Sequence, residues 1–247
     1  MIPNPIRKVL STFQSCEVHA LLMGGQACVF YGGAEFSRDT DFAILADTDN
    51  LERLQAAMRE LQAAVIAVPS LSLEHLQRGH AVHFRCQHPD AAGLRVDVMA
   101  RMRGVDSFAE LWERRTTLQG DDGSVYQLMS LPDLVQAKKT QRDKDWPMIR
   151  RLLEADRAAC SAQPSLAQVR FWLREGRTPA ILIDLAREFP QQARALADGE
   201  RPLVRLAFQA DTTGLEQALA AEEHAERAQD RIYWAPLKKE LEQMRHT

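Results

Sequence analysis

Two acidic residues spaced two apart open a candidate strand in the first part of the chain. Asp39 and Asp41 lie directly before the apolar residues 42–45. Successive side chains of a strand point to opposite faces, so these two carboxylates share a face, about 6 to 7 Å apart. Carboxylates this close repel each other unless a cation or water separates them. The pair predicts a cation site on a strand that enters the core, and a solvated loop is the alternative.

A third acidic residue lies inside another apolar run. Asp97 is flanked by Val96 and Val98 in the segment LRVDVM. Burying an unpaired carboxylate is unfavourable, so Asp97 either meets a cation or lies on a solvated face that it shares with Arg95.

A glycine pair separates a candidate strand from a candidate helix. Gly24 and Gly25 follow the apolar residues 19–23 and precede a short helical pattern over 26–31. A turn of this kind presents backbone N–H groups at a helix N-terminus, where they bind anions and especially phosphates. Taken alone, the glycine pair is a weak signal.

The three features together point to one kind of chemistry. Mg²⁺ prefers a few carboxylates together with waters and substrate phosphates. Three aspartates on strands beside a phosphate-binding turn therefore predict a two-metal site for phosphoryl or nucleotidyl transfer. One ion would activate the attacking hydroxyl, and the other would hold the triphosphate and its leaving pyrophosphate.

Strands and helices alternate in the segment that has to position these residues. The hydrophobic pattern predicts strands over 19–23, 39–45, 81–87, 94–99 and 125–129, with helices between them, and only helices afterwards. We therefore expect an α/β domain at residues 1–128 and a helical domain at residues 129–247.

Composition excludes several protein classes. The chain has 247 residues, of which 45% are hydrophobic and 26% charged, so it is neither collagen-like nor disordered. Its net charge of −3 argues against a protein that coats nucleic acid by bulk electrostatics. The sequence has neither an apolar run long enough for a membrane span nor a secretory signal, and its four cysteines form no CxxC pair. We expect a cytoplasmic protein with no membrane partner.

The glycine pair and the three acids resemble a known signature. The segment LLMGGQACVFYGGAEFSRDTDFAIL, with Asp97 on a later strand, resembles the DNA polymerase β-like nucleotidyltransferase superfamily. Within it, the chain is most similar to small bacterial nucleotidyltransferases that include abortive-infection toxins. The resemblance covers roughly residues 15–150. It implies an α/β (α+β) nucleotidyltransferase fold, with a mixed sheet flanked by helices and an all-helical C-terminal domain.

The resemblance also implies roles for particular residues. The metal-binding and catalytic acids would be Asp39, Asp41 and Asp97, and Asp97 would also orient or deprotonate the acceptor hydroxyl. The nucleotide-binding residues would be Gly24, Gly25, Ser37, Lys138 and Arg142. Lys138 and Arg142 are four residues apart, so on a helix they would share a face and reach the same phosphates.

The activity expected from this resemblance is a Mg²⁺-dependent transfer of a nucleoside monophosphate from an NTP, such as ATP, to a hydroxyl, with release of pyrophosphate. The acceptor would be an RNA such as a tRNA 3′ end, a protein side chain or a small molecule such as an antibiotic. Two alternatives remain open. One is a non-catalytic nucleotide-binding or interaction module, with an antitoxin as a possible partner, and the other is a metal-dependent phosphohydrolase.

Overall fold

The computed structural model describes residues 4–120 and 123–246 and divides the chain into two compact units. The first comprises Met1–Phe30, Ala34–Ala137 and Tyr233–Thr247, and the second comprises Tyr31–Gly33 and Lys138–Ile232. This division differs from the two continuous domains expected from the sequence. The first unit extends beyond residue 128 because the next helix buries Leu131, Leu134 and Val135.

One mixed sheet dominates the first unit. Among the described residues its strands are β1 (Ala20–Met23), β2 (Asp39–Ile44), β3 (Ala64–Val65), β4 (Val82–Arg85), β5 (Arg95–Met99), β6 (Thr116–Gln119) and β7 (Val125–Leu128). Their order across the sheet is β3-β4-β5-β2-β1-β7-β6. The β2–β5 and β1–β7 pairs are parallel and the others antiparallel. The expectation of an α/β fold with a mixed sheet flanked by helices is therefore confirmed.

Helices surround the sheet and account for the C-terminal part of the described chain. The first are α1 (Asn4–Ser15), α2 (Gly24–Phe30), α3 (Thr48–Glu60), α4 (Leu73–Arg78), α5 (Phe108–Glu113) and α6 (Leu131–Ala137). The later ones are α7 (Asp145–Cys160), α8 (Leu166–Glu175), α9 (Pro179–Glu188), α10 (Pro190–Asp198), α11 (Arg205–Phe208) and α12 (Thr212–His246). Short 3-10 turns occur at Pro89–Ala91 and Pro202–Val204. Within residues 4–120 and 123–246, no helix has both the length and the apolar character needed to cross a membrane.

The two faces of the sheet differ in polarity. On one face the apolar side chains of β2, β4 and β5 are buried, among them Phe42, Phe84 and Val96. Phe13 of α1 stacks on Phe42 with ring centroids 4.3 Å apart, so α1 covers this face. The alternating residues of the same strands lie on the other face, where Asp39 and Asp41 of β2 and Arg95 and Asp97 of β5 are only partly buried. The polar face is thus the one available for chemistry.

The expectation that Lys138 and Arg142 share a helix face is wrong. Helix α6 ends at Ala137 and α7 begins at Asp145, so both basic residues lie in the connection between them. The buried carboxylate of Asp145 accepts hydrogen bonds from Lys138, Thr140 and Arg142. These bonds hold the connection in a non-helical conformation.

A buried asparagine ties the start of α3 to two neighbouring strands. The Asn50 side chain accepts a hydrogen bond from the His19 N–H (2.7 Å) and donates to the carbonyls of His19 (3.1 Å) and Leu45 (2.8 Å). The Asn50 N–H in turn donates to the side chain of Asp47, the N-cap of the helix. One residue thereby fixes the beginning of β1, the end of β2 and the first turn of α3.

We predict that Asn50→Ala lowers the free energy of unfolding by about 3 kcal/mol, because it removes the hydrogen bonds of Asn50 to the His19 N–H and the Leu45 carbonyl, while the His19 carbonyl keeps the Leu45 N–H. Urea unfolding followed by circular dichroism measures the change. Glu52→Ala, on the exposed side of the same helix, is the control and should change the stability by less than about 0.5 kcal/mol. Equal losses in the two variants would contradict the role assigned to Asn50.

Candidate functional site

The glycine pair packs directly against the second acid of β2. Gly24 has φ +66°, and a Cβ placed on it would lie 1.9 Å from Oδ2 of Asp41. The N–H of Gly25 donates to the same oxygen over 3.4 Å. Only glycine at position 24 leaves room for this carboxylate, so the turn and Asp41 form one structural unit.

Ser37 connects the glycine turn to the beginning of β2. A Cβ on Gly25 would lie 2.6 Å from the Ser37 hydroxyl, so the two residues are in close contact. The same hydroxyl donates to the backbone carbonyl of Asp39 over 2.9 Å. Ser37 thereby fixes the backbone at which the acidic pair begins.

Strand pairing brings the three acids together on the polar face. In the parallel pairing of β2 with β5, Asp41 lies opposite Asp97, and Asp39 lies opposite Arg95. Neighbouring strands are about 4.8 Å apart, and paired residues point to the same side. The antiparallel pairing of β4 with β5 adds His83 opposite Asp97. Asp41, Asp97 and His83 therefore form a row across three strands.

Asp97 is ion-paired in this structure. Its Oδ1 accepts a hydrogen bond from Nε of Arg95 over 2.8 Å and lies 2.9 Å from Nδ1 of His83. Nη2 of Arg95 is also 3.0 Å from the same His83 nitrogen. The guanidinium, the imidazole and the carboxylate thus form a compact triad beside Asp41.

The electrostatics of this triad favour the charged carboxylate. Burial raises the pKa of Asp97, but hydrogen bonds from His83 and Arg95 and the charges of both residues outweigh burial and lower the pKa overall. The pKa of Arg95 is raised, first by its hydrogen bond to Asp97, against desolvation, and further by the negative charges of Asp97, Asp39 and Asp41. Arg95 therefore interacts electrostatically with all three acids.

The donor set suits a hard cation in type, since carboxylate oxygens are the ligands that Mg²⁺ prefers. We call the part of the polar face that carries Asp39, Asp41 and Asp97 the acid face. It contains one positive group next to these carboxylates, the guanidinium of Arg95. The side chains are not gathered around one point, because among residues 4–120 and 123–246 no three His, Cys, Asp or Glu groups are arranged to hold a metal ion. The carboxylates available for a cation are those of Asp39, Asp41 and Asp97, and in this structure Asp97 is bonded to Arg95.

The two remaining predicted nucleotide-binding residues lie in the second unit. There, Nζ of Lys138 is 3.3 Å from Oδ1 of Asp145, and Nε of Arg142 is 2.7 Å from its Oδ2. Burial raises the pKa of Asp145, but the positive charges of Lys138 and Arg142 and hydrogen bonds from Thr140 and Arg142 lower it overall. Both basic side chains thus stabilise the connection before α7.

Two residues of the candidate site, Arg95 and His83, are not among the predicted catalytic, metal-binding or nucleotide-binding residues, although the sequence already indicated a face shared by Arg95 and Asp97. The available signal for Arg95 was its spacing of two from Asp97, which places both on one face of a strand. His83 carried no local signal, because only the register of β4 against β5 brings it beside Asp97.

Comparison of the chain with protein-family models and with curated proteins gives no match.

We predict that Gly24→Ala destabilises the protein more than Gly93→Ala does. Both glycines have positive φ, so both alanines carry backbone strain of about 1 to 2 kcal/mol. Gly93 has open space around its Cβ position, whereas at Gly24 the new methyl group has to displace the Asp41 carboxylate. The additional loss in the free energy of urea unfolding should be at least about 1 kcal/mol. Equal losses would show that contact with Asp41 does not constrain the turn.

We predict that Asp145→Asn lowers the free energy of unfolding by about 2 kcal/mol at pH 7, because it leaves the half-buried Lys138 without its partner charge. The lowered pKa of Asp145 means that its contribution is present above the unfolded-state value of about 3.9 and is lost as the pH falls through the folded-state value. The gap between wild type and variant should therefore begin to narrow below about pH 4 and continue to narrow as the pH falls towards the folded-state pKa of Asp145.

Urea unfolding at a series of pH values measures this gap. Asp143→Asn is the matched control, since the Asp143 side chain is 97% exposed and its pairing with Arg227 is screened by solvent. A gap for Asp145→Asn that persists unchanged to low pH would contradict the assignment.

Proposed function

We propose that this protein is a metal-dependent nucleotidyltransferase that moves a nucleoside monophosphate from an NTP to a hydroxyl of an acceptor, with release of pyrophosphate. The observation that carries the proposal is the alignment of Asp41 with Asp97 on neighbouring strands, beside the tight turn at Gly24. Asp39 lies on the same face, two residues before Asp41. The resemblance of these residues to the DNA polymerase β-like signature supplies the reaction class.

The proposed roles follow from position. Asp39, Asp41 and Asp97 would hold Mg²⁺, which when bound neutralises charge on the triphosphate and lowers the pKa of an attacking hydroxyl. Gly24 and Gly25 keep the backbone close to Asp41, and Ser37 holds the start of β2 in place. A side chain at Gly24 would collide with Asp41, and one at Gly25 would collide with Ser37.

The acceptor is proposed by chemical class only. Asp97 is partly exposed on the polar face, so a hydroxyl on an RNA end, a protein side chain or a small molecule would approach it from solvent. An antitoxin protein is a further proposed partner, based on the similarity to abortive-infection toxins. Lys138 and Arg142 remain proposed nucleotide contacts.

We predict that Asp41→Asn and Asp97→Asn each lower turnover by about 100-fold or more, because each removes a charge that would hold the cation. The assay incubates the protein with Mg²⁺, each labelled NTP and a total cell extract, and follows pyrophosphate and the transfer of label to RNA, protein or small molecules. Asp49→Asn, on the exposed first turn of α3, is the control and should retain full activity. Full activity in Asp41→Asn would overturn the assignment of that residue.

A second candidate function is a nucleotide-binding or interaction module without turnover. The ion pairing of Asp97 with Arg95 and His83 favours it, because a carboxylate already neutralised by the protein has less need of a metal ion. Calorimetry with NTP and Mg²⁺ in parallel with the pyrophosphate assay separates the two functions. Binding without pyrophosphate release, in the presence of cell extract, supports the module.

A further inference from the structure

Arg95 places a positive charge next to the carboxylates of the acid face. It lies on β5 two residues before Asp97 and is paired across the sheet with Asp39 on one side and Arg85 on the other. Its Nε donates to Oδ1 of Asp97 over 2.8 Å. A guanidinium is always charged at neutral pH, so this contact neutralises the carboxylate for as long as it is made.

The Nδ1 atom of His83 lies close to both members of the Arg95–Asp97 pair. While Nε binds Asp97, Nη2 lies 3.0 Å from Nδ1 of His83, which itself lies 2.9 Å from the same Asp97 oxygen. The Arg95 side chain is 37% exposed and that of Asp97 is 16% exposed. The pair is therefore shielded enough to be more than a surface ion pair, and open enough for Arg95 to swing out towards solvent.

One oxygen of Asp97 cannot serve Arg95 and a divalent cation equally well. Two positive groups at the same carboxylate repel each other, and the repulsion grows as the site is shielded from water. The negative charges of Asp39 and Asp41 also act on Arg95, so the guanidinium partly neutralises the whole acid face.

We propose that Arg95 is the resident counter-ion of Asp39, Asp41 and Asp97, and that a divalent cation binds there only by taking Asp97 away from it. The inference rests on the proposed function, because it takes these three acids as the cation ligands. Arg95 thereby regulates the site: it stabilises the clustered acids when no cation is bound and sets the cation concentration at which the site fills.

This role has opposite consequences for stability and for cation binding. Without Arg95, the clustered carboxylates repel each other, so the protein in chelator should unfold at a lower temperature. Without Arg95, a cation also no longer competes for Asp97, so its affinity should rise. A purely structural role for Arg95 would produce the first change and not the second.

The test titrates the full chain with Mn²⁺ alone and measures the dissociation constant by calorimetry. We expect Arg95→Gln to bind Mn²⁺ about tenfold more tightly than wild type, a coupling of ordinary size between two competing ligands. Arg95→Lys keeps the charge but reaches fewer partners, so its affinity should lie between the two. The gain should vanish when Asp41→Asn is added to Arg95→Gln, because the cation then loses a ligand.

Arg85→Gln is the matched control, since it removes the same charge from the exposed residue paired with Arg95 on the neighbouring strand. An equal gain in Arg85→Gln would overturn the inference, because bulk charge would then explain it. An Arg95→Gln affinity equal to or weaker than that of wild type would overturn it as well.

A measurement on the unaltered chain does not depend on how the variants fold. The Nε–H resonance of Arg95 should be protected in chelator and should shift and lose protection when Mg²⁺ is added. A resonance that stays unchanged at saturating Mg²⁺ would overturn the inference.

The outcome is distinguishable from that of the proposed function. If Arg95→Gln raises the Mn²⁺ affinity but the protein never releases pyrophosphate, the counter-ion role of Arg95 is supported and the proposed transferase activity is overturned. If the protein turns over NTP but Arg95→Gln leaves the Mn²⁺ affinity unchanged, the transferase activity is supported and the counter-ion role of Arg95 is overturned.

Discussion

The parallel pairing of β2 with β5 is the constraint on which the candidate site depends. It sets Asp41 opposite Asp97 on the polar face and, by the same register, Phe42 opposite Val98 on the buried face. A slip by one residue would turn the apolar side chains of one strand towards the polar face and bury its acids. The hydrophobic core therefore fixes the face on which the carboxylates lie, because a slip by one residue would also remove Val96 and Val98 from the core.

Both units stabilise acidic side chains in the same way. Asp97 and Asp145 are each shielded from solvent, and for each the unfavourable effect of burial is outweighed by nearby cations, so the pKa is lowered. Glu175 repeats the pattern, with burial opposed by the charges of Lys139 and Arg177 and by a hydrogen bond from Lys139. The difference lies in exposure. Asp145 and Glu175 are almost fully buried, whereas the side chain of Asp97 is 16% exposed.

Much of the candidate site could be predicted because its signals are local. The alternation of Asp39 and Asp41 and the glycine turn before α2 all depend on residues close together in the chain. The contacts of Lys138 and Arg142 could not be predicted in the same way. Their spacing of four is a helical signal, but the Asp145 carboxylate outweighs it by offering several hydrogen bonds to a non-helical connection.

The sequence by itself determined the α/β class of the first part, the helical character of the rest and the shared face of the acidic pair, because hydrophobic periodicity and side-chain alternation act over a few residues. Only the tertiary structure decided that Arg95 and His83 meet at Asp97, and that α6 belongs with the sheet. These contacts depend on strand register and on packing between residues far apart in the chain. They are stabilised by packing in the assembled core and by charges that only folding brings together. No local sequence pattern predicts either of these.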